Sequence, residues 1–205
     1  GLALLDITGF SRFEVKGKNA KVWLDQIFAT KLPKPGRARL AVMLSFSGKL
    51  KGDLTLLNWG NGTYWIMGSY YLRAWHMRWF NEQMQDGVSI RDLGDEICGF
   101  ALIGPNSRSV LKRVAEEDVS DMRFMDCKKL DIGLVRSSVA RMSVTGEMGY
   151  EINCKMGDHI ALRRILLEAG ADQDICEVGF NAMLSTRIEK SFGIWSAEFT
   201  QDRTP

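Results

Sequence analysis

The chain has 205 residues, 45% hydrophobic and 25% charged, a balance that suits one large or two small soluble globular domains. Its formal net charge of +2 is spread along the sequence and makes no case for nucleic acid. No apolar run approaches the roughly 18 residues that a membrane span needs. Four widely spaced cysteines without a C-x-x-C pattern read as free buried thiols in preference to disulfides or metal ligands.

In chain order, Phe13 to Val15 reads as a short strand. Asn19 offers an N-cap to a helix over about Ala20 to Thr30, with Ala20, Trp23, Leu24, Ile27 and Phe28 on one face. Lys31 to Arg39, with Pro33, Pro35 and Gly36, reads as a loop. Asp53 to Trp59 and Thr63 to Met67 are β-rich runs separated by Gly60-Asn61-Gly62, a hairpin signal because Asn-Gly tolerates positive φ. Tyr71 to Met84 has the spacing of an amphipathic helix, with Trp75, Trp79 and Phe80 turned inward. Strands are expected at Val88–Asp92 and Phe100–Ile103, and Pro105 precedes a helix carrying Val110, Leu111 and Val114. Leu130 to Val135 and Val139 to Val144 form another strand pair. Asp158 then caps a helix with Ile160, Ala161, Ile165 and Leu166, which ends before Gly170. A last helix spans about Gly179 to Lys190. No long repeat is visible. Paired strands with single helices predict an α+β fold of ferredoxin-like units.

The most informative stretch is Ser143-Val144-Thr145-Gly146-Glu147-Met148-Gly149-Tyr150-Glu151-Ile152, a sharp turn feeding a strand. It resembles the T-G-E-x-G-[FY]-E-I signature of the glycine-cleavage T-protein family of folate-dependent aminomethyltransferases. Four further stretches agree in order. Gly1 to Gly17 looks like the family's opening strand pair. Met43-Leu44-Ser45-Phe46-Ser47-Gly48-Lys49-Leu50-Lys51-Gly52-Asp53-Leu54-Thr55 is similar to its M-L-n-x-x-G-G-I-x-x-D-L-T segment. Leu102-Ile103-Gly104-Pro105-Asn106-Ser107 resembles an L-x-G-P-x-S helix start. Ser185-Thr186-Arg187-Ile188-Glu189-Lys190-Ser191-Phe192-Gly193-Ile194-Trp195, with Thr204-Pro205, resembles S-L-R-I-E-K-G-[FY]-x-x-W … T-P. The Arg-Ile-Glu-Lys form and the tryptophan look most like the folate-binding region of dimethylglycine and sarcosine dehydrogenases. The chain departs from the glycine-cleavage pattern at Val144, at Met183-Leu184, at Lys49 and at Gly52-Asp53, where a paired Asp-Asp is usual.

The resemblance implies two intertwined ferredoxin-like units over residues 1–205 with tetrahydrofolate in the centre. A chain that opens in mid-strand and stops at Thr204-Pro205 is expected to be a fragment. A neighbouring domain carrying FAD would precede it in such a parent and a small C-terminal barrel would follow, neither being present here. No G-x-G-x-x-G or P-loop pattern occurs within the chain. The implied activity is capture of a one-carbon unit from an N-methyl amine, reached through the neighbouring domain, as 5,10-methylenetetrahydrofolate. The implied compartment is the cytoplasm, or the mitochondrial matrix in a eukaryote. The resemblance implies no nucleic-acid or membrane partner. Rival readings are a stand-alone glycine-cleavage aminomethyltransferase and a non-catalytic folate-binding module.

Asp53 is the candidate catalytic residue, a short carboxyl after two glycines; the family implies that it sits at the reacting nitrogen edge of folate, and the bland reading is a turn aspartate. Glu151 is the candidate pterin contact, since a carboxylate accepts two parallel N–H donors; its bland reading is a solvent-facing residue on an edge strand. Arg187 either meets the folate's glutamate carboxylates or pairs inside the fold, and Glu189 reads as structural. Tyr150, Trp195 and Tyr64 can stack on a flat heterocycle or simply fill the core. His76 and His159, the only histidines, read as structural, and no metal site is expected. Basic residues between Arg108 and Arg113 read as a solvated helix face.

Overall fold

The computed structural model describes residues 1–202 other than Ser196 and Gln201, so the Thr204-Pro205 pair of the last motif lies outside the described residues. The fold is α+β, with two sheets and a helix layer on each, and the chain divides into two compact units. The first comprises Gly1–Thr8 and Asp95–Phe192. The second comprises Gly9–Gly94 and the described part of 193–205.

The second unit runs β2 (Ser11–Lys16), α1 (Ala20–Ile27), β3 (Arg37–Leu44), β4 (Leu50–Asn58), β5 (Tyr64–Gly68), α2 (Arg73–Glu82) and β6 (Ser89–Asp92), with sheet order β3-β4-β5-β2-β6. The outer β3 apart, this is the split β-α-β order of a ferredoxin-like unit. Alternation along β2 and β4 sends Phe13, Val15, Leu54 and Leu56 to the helix side, where they meet Trp23, Leu24 and Phe80. Each fully buried side chain of this size contributes about 2–3 kcal/mol of transfer free energy. Trp23 also donates its Nε1–H to the Gln83 carbonyl at 2.7 Å, so its burial leaves no polar atom unmatched.

The first unit runs β1 (Leu2–Asp6), β7 (Ile97–Ile103), α3 (Ser107–Val114), β8 (Cys127–Ile132), β9 (Val135–Ala140), β10 (Gly149–Lys155), α4 (His159–Gly170), β11 (Ile175–Val178) and α5 (Phe180–Glu189), with sheet order β11-β1-β7-β10-β9-β8. Its core gathers Leu4, Phe100, Leu102, Val110, Leu111, Leu130, Tyr150, Ile152 and Leu162.

Several boundaries differ from the sequence reading. Helix α1 ends at Ile27 because Phe28 bridges to Met43 and the Ala29 amide donates to the Val42 carbonyl. Asn19 does not cap it; its Nδ2 donates to the Asp86 carbonyl at 2.8 Å. The expected loop gives way to β3 at Arg37, a strand whose Leu40-Ala41-Val42-Met43-Leu44 run shows no alternation to read. The β8–β9 hairpin turns at Gly133, φ 54°, and Leu134, a wholly exposed leucine that hides the turn among apolar residues. That shifts both strands toward the N-terminus of the expected ranges. The Gly60-Asn61-Gly62 turn is present, all three residues at positive φ. Cys98, Cys127 and Cys154 are buried cysteines outside any disulfide, but Cys176 is exposed.

Candidate functional site

The start of β4 builds the chemical centre of the second unit. A Cβ on Gly52 would lie 2.9 Å from His76 Nε2 and 3.3 Å from Met43 Cε, so glycine lets the α2 imidazole lie against the strand. Asp53, the next residue, takes the opposite face. Burial pushes its carboxyl up to about 6, opposed by hydrogen bonds from its own backbone amide and that of Trp195. A carboxyl poised there exchanges protons near neutral pH.

Aromatic groups close the surroundings. The Trp195 ring lies 5.3 Å from Trp75 and 6.4 Å from His76, centroid to centroid. Lys51 Nζ stands 3.8 Å above the Trp79 ring and 5.1 Å from that of Trp75, a cation–π arrangement. Phe46, on the β3–β4 turn, meets Trp79 edge-on at 5.8 Å. His76 is 1% exposed. Burial pushes its pKa down to about 4 against a weak opposing contribution from the Lys51 backbone, so the ring is neutral at neutral pH. Neither of its nitrogens reaches a well-formed hydrogen bond. Trp75 and Trp79 are thus only half-buried and hold a cation, where the helical spacing pointed to core packing; His76 and Phe80 are the buried residues of α2. The i, i+4 spacing of the two tryptophans was legible; their contact with Lys51, distant in sequence, was not.

In the first unit, Glu151 lies on β10 between β7 and β9, opposite Ala101 and Ala140. It is 6% exposed, so it is neither on an edge strand nor solvent-facing. Tyr150 points the other way, into the core, where its hydroxyl accepts from Arg108 Nε at 2.9 Å. Arg108 also donates to the Ser120 and Met122 carbonyls, which removes it from the expected solvated face. Arg187 is 4% exposed and donates from Nη1 to the Phe192 carbonyl at 2.8 Å, closing the end of α5. Glu189 is exposed. The Thr145-Gly146-Glu147 turn is held by Ser143 Oγ at 2.8 Å from Thr145 Oγ1 and by Lys190 Nζ at 3.1 Å from Glu147. A cavity of about 450 Å³ in this unit is lined by Leu2, Gly104, Thr145, Glu147, Met183 and Lys190 among others, drawing on four of the five motif stretches.

The structure therefore brings Asp53 and Trp195 together in the second unit and places Tyr150, Glu151 and Arg187 in the first. Tyr64 is a core residue and His159 hydrogen-bonds Asp6 at 3.0 Å. Among the described residues no three His, Cys, Asp or Glu side chains cluster as metal ligands, and no helix is long and apolar enough to cross a membrane.

A family model described as the GCVT N-terminal domain matches residues 1–205. Human mitochondrial dimethylglycine dehydrogenase is 30% identical over 209 residues, covering 100% of this chain and 24% of that protein. An aminomethyltransferase of Bacillus licheniformis is 28% identical over 98% of this chain and 56% of its own length. The chain thus spans a minor part of one relative and about half of the other. Among solved structures, the glycine cleavage system aminomethyltransferase T from Bartonella henselae superposes with a TM-score of 0.89 at 23% identity, over 100% of this chain and 55% of that one. The heterotetrameric sarcosine oxidase from Corynebacterium sp. U-96 gives 0.67 at 16% identity, over 86% of this chain and 87% of that one, so both share the fold.

Proposed function

The chain belongs to the GCVT N-terminal domain family, and from that premise we propose that it is the tetrahydrofolate-binding part of a one-carbon transfer enzyme. The substrate class proposed is an N-methyl amine of the dimethylglycine or sarcosine type, oxidised in a neighbouring FAD domain, with 5,10-methylenetetrahydrofolate as product. The observation that carries the proposal is the partly buried carboxyl of Asp53, raised to about 6 near the start of β4.

The donor set suits the ligand. A reduced pterin presents ring N–H and exocyclic amine donors side by side, and buried carboxylates are their natural acceptors. Tetrahydrofolate, when bound, supplies the nucleophilic nitrogen that takes the one-carbon unit. Asp53, ionised at neutral pH, accepts a hydrogen bond at that nitrogen's edge and can take up the proton released there, because its pKa lies within reach of the working pH. Trp195 fixes the carboxyl through its backbone amide. Glu151 is given the pterin edge, where two parallel N–H groups meet one carboxylate. Arg187, tied to Phe192 through Nη1, is left a smaller share in binding. Tyr150 backs the strand from the core.

Titration calorimetry of the chain with tetrahydrofolate tests this directly: saturable heat at micromolar to millimolar ligand is expected, and none from a folded sample ends the proposal. In the full-length parent, Asp53→Ala should slow methylenetetrahydrofolate formation by on the order of 10²-fold and leave amine oxidation intact. Glu151→Gln should weaken binding by tens-fold, since it sets an NH₂ against a donor. The second reading, a stand-alone aminomethyltransferase, is favoured by the match over 98% of the chain to the Bacillus protein; transfer from a lipoyl-carried aminomethyl group would separate the two.

A further inference from the structure

One pair of nucleophilic side chains lies outside the site described above. Cys98 on β7 and Cys154 on β10 are direct partners across the antiparallel ladder, and their sulfurs stand 3.4 Å apart. Both are buried, at 0% and 2% exposure. The structure assigns this pair as a cross-strand modification site, where a small-molecule disulfide converts two thiols into a Cys98–Cys154 bond without rearranging the sheet.

Geometry permits the bond in place. The Gly104 N–H to the Met148 carbonyl and the Met156 N–H to the Glu96 carbonyl set the parity of the ladder, so Cys98 and Cys154 are a hydrogen-bonded pair with Cα atoms about 5.5 Å apart, inside the range of about 4.4–6.8 Å that a disulfide spans. The sulfurs must approach to about 2 Å, which rotation about the two Cα–Cβ bonds supplies. The side chains already point at one another, as the sulfur contact shows. Cys98 Sγ lies 3.7 Å and 3.5 Å from the carbonyl oxygens of Cys154 and Lys155, weak contacts that a bonded sulfur gives up at little cost.

Access comes from the strand ends. The Ile97–Lys155 pair and, one step further, the Met156 N–H bonded to the Glu96 carbonyl at 2.8 Å separate the cysteines from the open end of the ladder. Lys155, Met156 and Glu96 there are exposed. Fraying of such a terminal pair costs far less than global unfolding and uncovers the thiols. The first thiolate attacks the small disulfide, whose S–S bond breaks and releases one small thiolate that takes up the displaced proton. The second protein thiolate then attacks the protein sulfur of the mixed disulfide and releases the other small thiol. Two protein thiols are oxidised and one small disulfide is reduced to two thiols. The product clamps β10 three residues beyond Glu151, and its formation does not depend on folate binding.

The test uses the folded chain carrying Cys176→Ser, which removes the one exposed thiol. It is incubated with oxidised glutathione and read by peptide mapping without reduction. The expected result is a linked peptide pair holding Cys98 and Cys154, lighter by two hydrogens, restored by dithiothreitol, with a raised melting temperature in the linked form. Two results overturn the assignment: thiols that stay reduced or stop at a glutathione adduct in the folded protein, and a link that forms only under denaturing conditions.

Discussion

From β7 to β11 the first unit repeats the succession that the second runs from β2 to β6, with β1 and α5 added, but matching places carry different chemistry. The ladders pair Phe13 with Ile66 in one and Phe100 with Ile152 in the other. The first helix of each ends in an isolated bridge, Phe28 to Met43 and Ala115 to Ile132. A 3-10 turn leads into the second helix of each, at Tyr70–Leu72 and Met156–Asp158. Counting along these registers sets Asp53 against Arg136 and His76 against Leu162. One unit has thus an exposed arginine and a core leucine where the other has a partly buried carboxyl and a buried imidazole. A shared scaffold fixes where a side chain points; its burial then decides whether that position titrates.

The scaffold itself gives the largest expected effect. Gly17 and Gly104 occupy matching places before α1 and α3, with φ of 122° and 130°. A Cβ would lie 2.1 Å from the Gly87 carbonyl oxygen in one case and 2.3 Å from that of Gly1 in the other. Backbone cannot swing aside as a side chain does. Gly17→Ala and Gly104→Ala should each cost on the order of 3–4 kcal/mol in urea unfolding. A clear loss at one site and tolerance at the other would break the equivalence.

The titrating pair comes next. Asp53 is raised from 3.8 to about 6 on folding, so its stabilising effect is full below 3.8 and is lost as pH rises through about 6. His76 is lowered from 6.5 to about 4, so its effect is full above 6.5 and is lost as pH falls toward 4. The slopes oppose over the same window, and the parent's stability should change little between pH 4 and 6.5. Each single substitution exposes the other slope. Asp53→Asn should gain on the order of 2–3 kcal/mol at pH 8 and then lose stability on acidification. His76→Leu, which copies Leu162, should instead lose stability as pH rises through about 6. The reverse swap, Leu162→His, should cost about 2–4 kcal/mol, because it buries a polar ring where Leu162, 0% exposed, packs in the hydrophobic core. Thermal melts across pH decide; parallel profiles for all variants would show that the two groups are not desolvated as described.

Elements with a clean period were legible in the sequence: the Gly60-Asn61-Gly62 hairpin, the buried face of α1 and the strand carrying Glu151. The α+β fold of ferredoxin-like units was legible too, in paired strands with single helices; the position-by-position match of the two units was not, because matching positions hold unrelated residues, Asp53 against Arg136 and Trp65 against Glu151. Strand β3 was lost in an unbroken apolar run, and the β8–β9 turn was masked by an exposed Leu134. Among the candidate site residues, Asp53 was singled out through its motif. The lysine over two tryptophans needed the fold, since only pairing of β4 beside α2 brings Lys51 to rings more than 20 residues away.

The smallest expected effect sharpens the contrast from the other side. Arg136 pairs with Asp131 at 3.2 Å, with 64% and 34% of the two side chains exposed. At such exposure water screens the attraction, and holding two side chains in one geometry costs entropy, so an ion pair of this kind contributes about 0–1 kcal/mol. Arg136→Ala should therefore change unfolding stability by no more than about 0.5 kcal/mol, with an effect that fades as salt is raised. At the matching position of the other unit, Asp53→Asn should move stability several times further and do so through pH, not salt. Equal, salt-sensitive effects at both positions would mean that Asp53 is solvated like Arg136, and the raised carboxyl on which its proposed proton-handling role rests would be lost with it.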